Sequence, residues 1–241
     1  LILSFPLPFR PMSAWKAPSR SIFRLLIVIL LCSIGFNVWF VVRDQNRKVE
    51  FNDHVDPQIE GRAALNATMK IEPHTILFLG DSHVEMFPLN DLFPNKKILN
   101  LGVSGSKLDQ VIDGQARIDL GNTPEKIFIM AGVNDIFHGS NPEDVGKRME
   151  QLLNILQERY LAVPLFVHAI LPTREPSFAY AIIASNALLK PICDEHGVTF
   201  IDMYATVEQN GLIRSELVYD QIHLNAEGYA LWAKVLEPFL N

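Results

Sequence analysis

Ile76-Leu77-Phe78-Leu79-Gly80-Asp81-Ser82-His83 is the stretch on which the fold turns. Four consecutive apolar residues, closed by a glycine and a polar triplet, read as a short strand buried on both faces. Four similar runs follow: Ile98 to Leu101, Ile127 to Ala131, Leu165 to Ile170 and Val198 to Ile201. Helical patterns separate them. The clearest is Pro142 to Tyr160, where Val145, Met149, Leu152, Leu153 and Leu156 share one face; others run from Ala179 to His196 and from about Asn225 to Phe239. Strands alternating with helices predict parallel pairing through right-handed crossovers. The expected fold is therefore α/β, a three-layer α/β/α sandwich around a five-stranded parallel sheet.

In such sheets ligands bind at the carboxyl ends of the strands. The first three runs are followed by Gly80-Asp81-Ser82-His83, Gly102-Val103-Ser104-Gly105 and Gly132-Val133-Asn134-Asp135, and Asp220-Gln221-Ile222-His223 precedes the last helix. Four separate segments thus converge on one rim. Taken singly, each has an ordinary reading: Ser82 as a helix N-cap, Gly80 and Gly132 as turn residues, His223 as a surface loop histidine. Asp81 and Asp135 are expected to make structural hydrogen bonds. His83, His138 and His168 are expected in rim or packing roles, and Arg174 as a solvated loop residue or a contact for an acidic substrate group.

Together, Gly80-Asp81-Ser82, Gly105, Gly132-x-Asn134-Asp135 and Asp220-x-x-His223 resemble the four sequence blocks of the SGNH (GDSL) hydrolase superfamily, in order, over about Thr75 to Leu240. The last block, with Leu224-Asn225 and Gly228-Tyr229, is similar to the branch of platelet-activating-factor acetylhydrolases and carbohydrate acetylesterases. The resemblance implies a flavodoxin-like sheet order, Ser82 as nucleophile, His223 as general base and Asp220 as its partner. It also implies an oxyanion hole from the backbone N–H groups of Ser82 and Gly105 and the side-chain amide of Asn134. The chemistry suits these residue types, because a serine hydroxyl needs a neutral imidazole to take its proton and a tetrahedral oxyanion needs preorganised donors. His83 departs from the name-giving motif, which has Leu there. The expected substrates are short-chain O-acetyl esters on carbohydrate or cell-envelope glycan. A lysophospholipase or other lipid esterase, and an O-acyltransferase using the same triad, are the alternatives.

A net charge of -6 argues against nucleic acid as the main partner. Asp81-x-His83 resembles one metal-ligating pair of metallophosphoesterases, but their further blocks are missing; there is also no phosphate-binding glycine loop, so no metal or organic cofactor is expected. Cys32 and Cys193 lie in unrelated segments, and no disulfide framework is expected.

Residues 25–42 are almost wholly apolar and as a helix would span about 27 Å at 1.5 Å per residue. With no small-x-small cleavage site, and with Arg20, Arg24 and Arg43 flanking, they read as an uncleaved transmembrane signal anchor. The expected organisation is a cytoplasmic segment 1–24, the anchor 25–42, a polar linker 43–74 holding one short helix, and the hydrolase domain 75–241. Lys16, Arg20 and Arg24 before the anchor place the domain on the periplasmic or extracellular side. Met12 is a candidate start, and Asn66-Ala67-Thr68 matches a glycosylation acceptor, a pattern short enough to recur by chance.

Overall fold

Side chains alternate across a strand, so β1 (Ile76–Gly80) sends Leu77 and Leu79 to one face of its sheet and Ile76 and Phe78 to the other. All four are buried, which requires cover on both faces. The structure is a computed structural model, and it describes residues 56–117 and 121–240 together with Ser33. β2 (Ile98–Asn100), β3 (Lys126–Met130), β4 (Leu165–His168) and β5 (Thr199–Ile201) complete a sheet ordered β2-β1-β3-β4-β5, every pairing parallel. The expected five-stranded parallel sheet is thus present.

From residue 56 onward the described α-helices, in chain order, are α1 (Pro57–Asn66), α2 (Ser82–Glu85), α3 (Leu89–Leu92), α4 (Leu108–Arg117), α5 (Val133–Phe137), α6 (Pro142–Arg159), α7 (Ala179–Glu195), α8 (Met203–Val207) and α9 (Ala226–Leu236). One sheet face packs Leu77, Leu79, Ile127, Ile129 and Val167 against α4, α6 and α7. On the opposite face, Phe78, Phe128 and Phe166 lie in register on three adjacent strands, their rings stacked 4.7 and 4.5 Å apart. Trp232 of α9 closes that layer through Phe87, 4.5 Å from ring to ring. Buried aromatic surface of this size gives this layer its largest apolar contribution.

Two boundaries differ from the sequence expectation. The compact unit begins at Asp56, not Thr75, so residues 56–74 belong to the domain instead of the linker 43–74. Asp56 caps α1 through its carboxylate, Pro57 sits at the first turn, and at the far end the Asn66 amide donates to the Leu101 carbonyl at 3.0 Å. Ile71 then enters the main core at 1% exposure. Asn66 is buried, so its glycosylation motif is spent on packing. β4 also stops at His168 and does not run on to Ile170, because the Asn186 side chain takes both polar groups of Ile170 at 2.8 Å each. The expected segments 1–24 and 25–42 and linker residues 43–55 lie outside the described residues, apart from Ser33. Among the described residues no helix is long and apolar enough to cross a membrane.

His168, at the end of β4, is a packing residue, 5.2 Å edge-on from Trp232, and neither ring nitrogen has a hydrogen-bond partner among the described residues. Burial disfavours its charged form and pushes its pKa down to about 3. The unfolded chain therefore binds a proton that the folded chain refuses between about pH 6.5 and about 3, and stability falls as pH drops through that window. Between pH 7 and 4.5 this one group should cost about 2–3 kcal/mol. Urea unfolding at the two pH values should show His168→Leu losing less stability than the wild type by that amount. Equal losses would mean that His168 does not carry the acid sensitivity.

Candidate active site

Gly80 ends β1 where no side chain would fit: a Cβ there would lie 2.0 Å from the Met130 carbonyl oxygen and 2.7 Å from Val84 Cγ2. The chain then turns at once into α2, with Asp81 as N-cap accepting from the His83 amide at 3.0 Å. Ser82 is the first residue of that helix and is 6% exposed.

The segment after β2 is laced to this turn. Val103 N–H donates to the Gly80 carbonyl at 2.9 Å, and Ser106 Oγ reaches the same oxygen at 3.4 Å. Gly102 passes so close to α2 that a Cβ would sit 2.3 Å from the Glu85 amide nitrogen. The Glu85 carboxylate accepts the Ser104 amide and pairs with Arg62 of α1 at 3.4 Å. Gly105 is exposed with φ at +78°, a conformation that side chains rarely adopt. After β3, Asn134 Nδ2 donates to the Ser106 carbonyl at 3.0 Å, using one of its two amide hydrogens. Asp135 is fully buried and accepts from the Leu108 amide at 2.9 Å and from Arg148 at 3.3 Å. Burial raises its pKa, and the Leu108 amide and Arg148 offset part of that rise.

The loop before α9 closes the arrangement. His223 Nε2 lies 3.1 Å from Ser82 Oγ, and His223 Nδ1 lies 2.7 Å from Asp220 Oδ2. The other Asp220 oxygen accepts the backbone N–H groups of Ile222 and His223, both at 2.7 Å. Desolvation of Asp220 works against its charge, but the His223 ring and these amides outweigh it and hold the carboxyl below its ordinary value. The carboxylate therefore stays ionised at neutral pH. Tyr219 stacks on the His223 ring at 5.8 Å and 14°, and its hydroxyl reaches the Met86 sulfur at 3.6 Å.

A family model described as the GDSL-like lipase/acylhydrolase family matches residues 79–231. The chain belongs to the GDSL-like lipase/acylhydrolase family. It is accordingly an acylhydrolase, an enzyme acting on carboxylic esters. No curated protein matches it at a significant level. Among solved structures, it is similar to a Streptococcus pneumonia protein named for platelet activating factor, at 21% identity and TM-score 0.68, over 88% of this chain and 99% of that one. A GDSL-like lipase from Bacteroides thetaiotaomicron matches at 17% and 0.63, over 76% and 96%. The acetylxylan esterase Axe2 from Geobacillus stearothermophilus matches at 17% and 0.58, over 72% and 97%. At these identities the likeness is one of fold.

In this GDSL-like chain, Ser82, His223 and Asp220 form one hydrogen-bonded line, and the segments bearing Gly105 and Asn134 are bonded to each other and to the nucleophile turn. Asp81 and Asp135 make the structural bonds expected of them. Arg174 is half-buried; its backbone N–H donates to the Gln221 carbonyl and its guanidinium to the Ile213 carbonyl, at 2.7 and 3.1 Å. His138 is exposed beside Asn134, with Nδ1 2.7 Å from the Asn134 carbonyl. Sequence reasoning missed Arg62, Glu85 and Tyr219. Of these, only Glu85 carried a usable signal, lying three residues after Ser82 on the same short helix.

Because Asp135 holds the start of α4 beside the Asn134 turn, Asp135→Ala should leave the buried Leu108 amide unpaired and cost about 2–3 kcal/mol. Asp135→Asn keeps an acceptor and should cost less than half as much. Chemical unfolding of the two variants checks the order, and an Ala variant as stable as Asn would exclude this role.

Proposed function

We propose that Ser82, His223 and Asp220 act as a catalytic triad that hydrolyses short-chain, chiefly O-acetyl, esters of carbohydrate. The observation that carries this reading is the unbroken line from Ser82 Oγ through the His223 ring to Asp220. In the proposed reaction Ser82 Oγ attacks the ester carbonyl carbon as His223 Nε2 takes its proton. Asp220 holds the Nδ1 hydrogen, fixing the tautomer and stabilising the imidazolium. The oxyanion would be met by the N–H groups of Ser82 and Gly105 and by the Asn134 amide, each such donor being worth about 100- to 1,000-fold in rate. Collapse expels the alcohol, which takes the proton from Nε2 and leaves an acyl ester on Ser82. Water, activated by the same imidazole, then releases the acid.

The carbohydrate reading draws support from the open setting. Tyr219, stacked on the His223 ring, and Met86, against the Tyr219 hydroxyl, are 62% and 43% exposed, an apolar lip that a sugar ring can cover while its hydroxyls stay in water. The acetylxylan esterase likeness is consistent with it. The apolar run 25–42 supports attachment to a membrane with this domain outward, which would bring it to esters of the cell envelope or imported glycans.

Ser82→Ala should lower turnover of p-nitrophenyl acetate by about 10,000-fold or more. Retained activity would remove the nucleophile assignment. Across p-nitrophenyl esters from acetyl to palmitoyl, kcat/KM should be highest at acetyl and fall steadily with chain length. An optimum at long chains would replace the carbohydrate reading with a lipid esterase. Faster acyl transfer to an added sugar than to water would replace hydrolysis with acyl transfer.

A further inference from the structure

The residue that departs from the name-giving motif is the one whose surroundings are least explained by packing. His83 is 2% exposed, yet neither ring nitrogen faces carbon. Nδ1 lies 3.3 Å from Asp81 Oδ1, and Nε2 lies 3.2 Å from the carbonyl oxygen of Ile222, 139 residues away in sequence. A carbonyl oxygen only accepts, and so does a carboxylate, so satisfying both contacts requires a hydrogen on each ring nitrogen. The ring is then an imidazolium paired with the buried Asp81 carboxylate, a neutral couple overall.

The Ile222 carbonyl belongs to the same peptide unit as the His223 N–H. That unit is held at both ends, its carbonyl by His83 and its N–H by Asp220 Oδ1 at 2.7 Å. A peptide is planar, so two anchors on opposite edges fix its orientation and with it the direction in which the His223 side chain leaves the backbone. We propose that His83 is a positioning residue: a doubly protonated strut that ties the nucleophile turn to the Ile222–His223 peptide and so aims the imidazole of His223 at Ser82. This rests on His223 being the general base.

The charged groups facing His83 agree. Asp81 lies on its own turn, Asp220 and His223 approach from the loop, and the Tyr229 hydroxyl of α9 donates to the His83 carbonyl at 3.1 Å. Burial by itself lowers the basicity of His83, but the hydrogen bond and charge of Asp81 and the Ile222 carbonyl more than reverse this and leave it above its ordinary value. Leucine, the usual motif residue, fills a comparable volume but can make neither bond. This chain has in effect replaced a packing contact with a tie between its two catalytic segments.

The test reads the strut separately from turnover. In the full chain labelled with 15N at its seven histidines, one ring should keep hydrogens on both nitrogens at pH 8, and that signal should vanish in His83→Gln. A bare nitrogen on the His83 ring would overturn the proposal. For p-nitrophenyl acetate, His83→Leu should lose about 10- to 100-fold in kcat with KM changed less than twofold, since a misplacement of about 1 Å costs on that order. His83→Gln, whose amide still donates to the Ile222 carbonyl, should recover most of the loss. A folded His83→Leu with wild-type kcat would also overturn it, and if that variant does not fold, the wild-type ring spectrum decides. Activity retained by Ser82→Ala would instead remove the triad and leave the ring spectrum as it is.

Discussion

The approach of β1 to β3 at Gly80 is the contact on which the site depends. With 2.0 Å between a hypothetical Cβ and the Met130 carbonyl oxygen, any side chain at position 80 would force the two central strands apart at their carboxyl ends. That is the point where the sheet order reverses, with β2 on one side of β1 and β3 on the other, and where a crevice opens beyond the strands. The Gly80 carbonyl then accepts Val103 N–H and faces Ser106 Oγ, while Asp81 N–H reaches back to Met130 O at 3.3 Å. The turn carrying Ser82, the loop carrying Gly105 and, through Ser106, the amide of Asn134 are thus all referenced to one peptide group.

Two buried histidines, one ending β4 and one in α2, show how strongly surroundings decide a charge. His168, among Phe128 and Trp232 and without a polar partner among the described residues, is held neutral. His83, equally buried, sits against a carboxylate and a carbonyl and favours the charged form. Desolvation acts on both in the same direction; what differs is whether acceptors are supplied. The two also respond to pH oppositely. Acid destabilises the fold through His168, whereas the stabilisation from a raised His83 is fully present in acid and lost as pH climbs through its folded value.

Much of this was legible in the sequence because its signals are local. The apolar runs at Ile76 and Ile127 have strand length and end in Gly-containing polar clusters, and Asp220 and His223 are three residues apart, within reach of one loop. What was not legible depends on partners distant in the chain. Asn66 reads as a polar linker residue until the Leu101 carbonyl is seen beside it, 35 residues on. The boundary at Asp56 follows from such contacts and from no composition change. His83 reads as a rim or packing residue because its second acceptor lies on a loop 139 residues away. Ile170 looked like strand because nothing in an apolar run shows that Asn186 will take its backbone groups.

The exposure of Asp220 bears on how the proposed base is held. With its side chain 42% accessible, the charge of this carboxylate is screened by water, and Coulomb attraction alone would hold the His223 ring only loosely. Orientation must come from directional bonds. Three hydrogens converge on the two oxygens, two from the backbone and one from the ring, so the carboxylate cannot swing without breaking all three. These bonds are all local, within four consecutive residues, and a loop that short could still move as a body. The long-range contacts oppose this: Arg174 N–H to Gln221 O, Nε2 of His223 to Ser82, and His83 to Ile222 O. Ser82 and His83 both reach the loop from buried side chains, but Ser82 bonds the ring that must exchange a proton with it, whereas His83 holds the backbone from which that ring projects, which is why the weight of positioning falls on it. A site arranged in this way stays open to water and to bulky alcohols, and it secures its geometry from beneath instead of by enclosure.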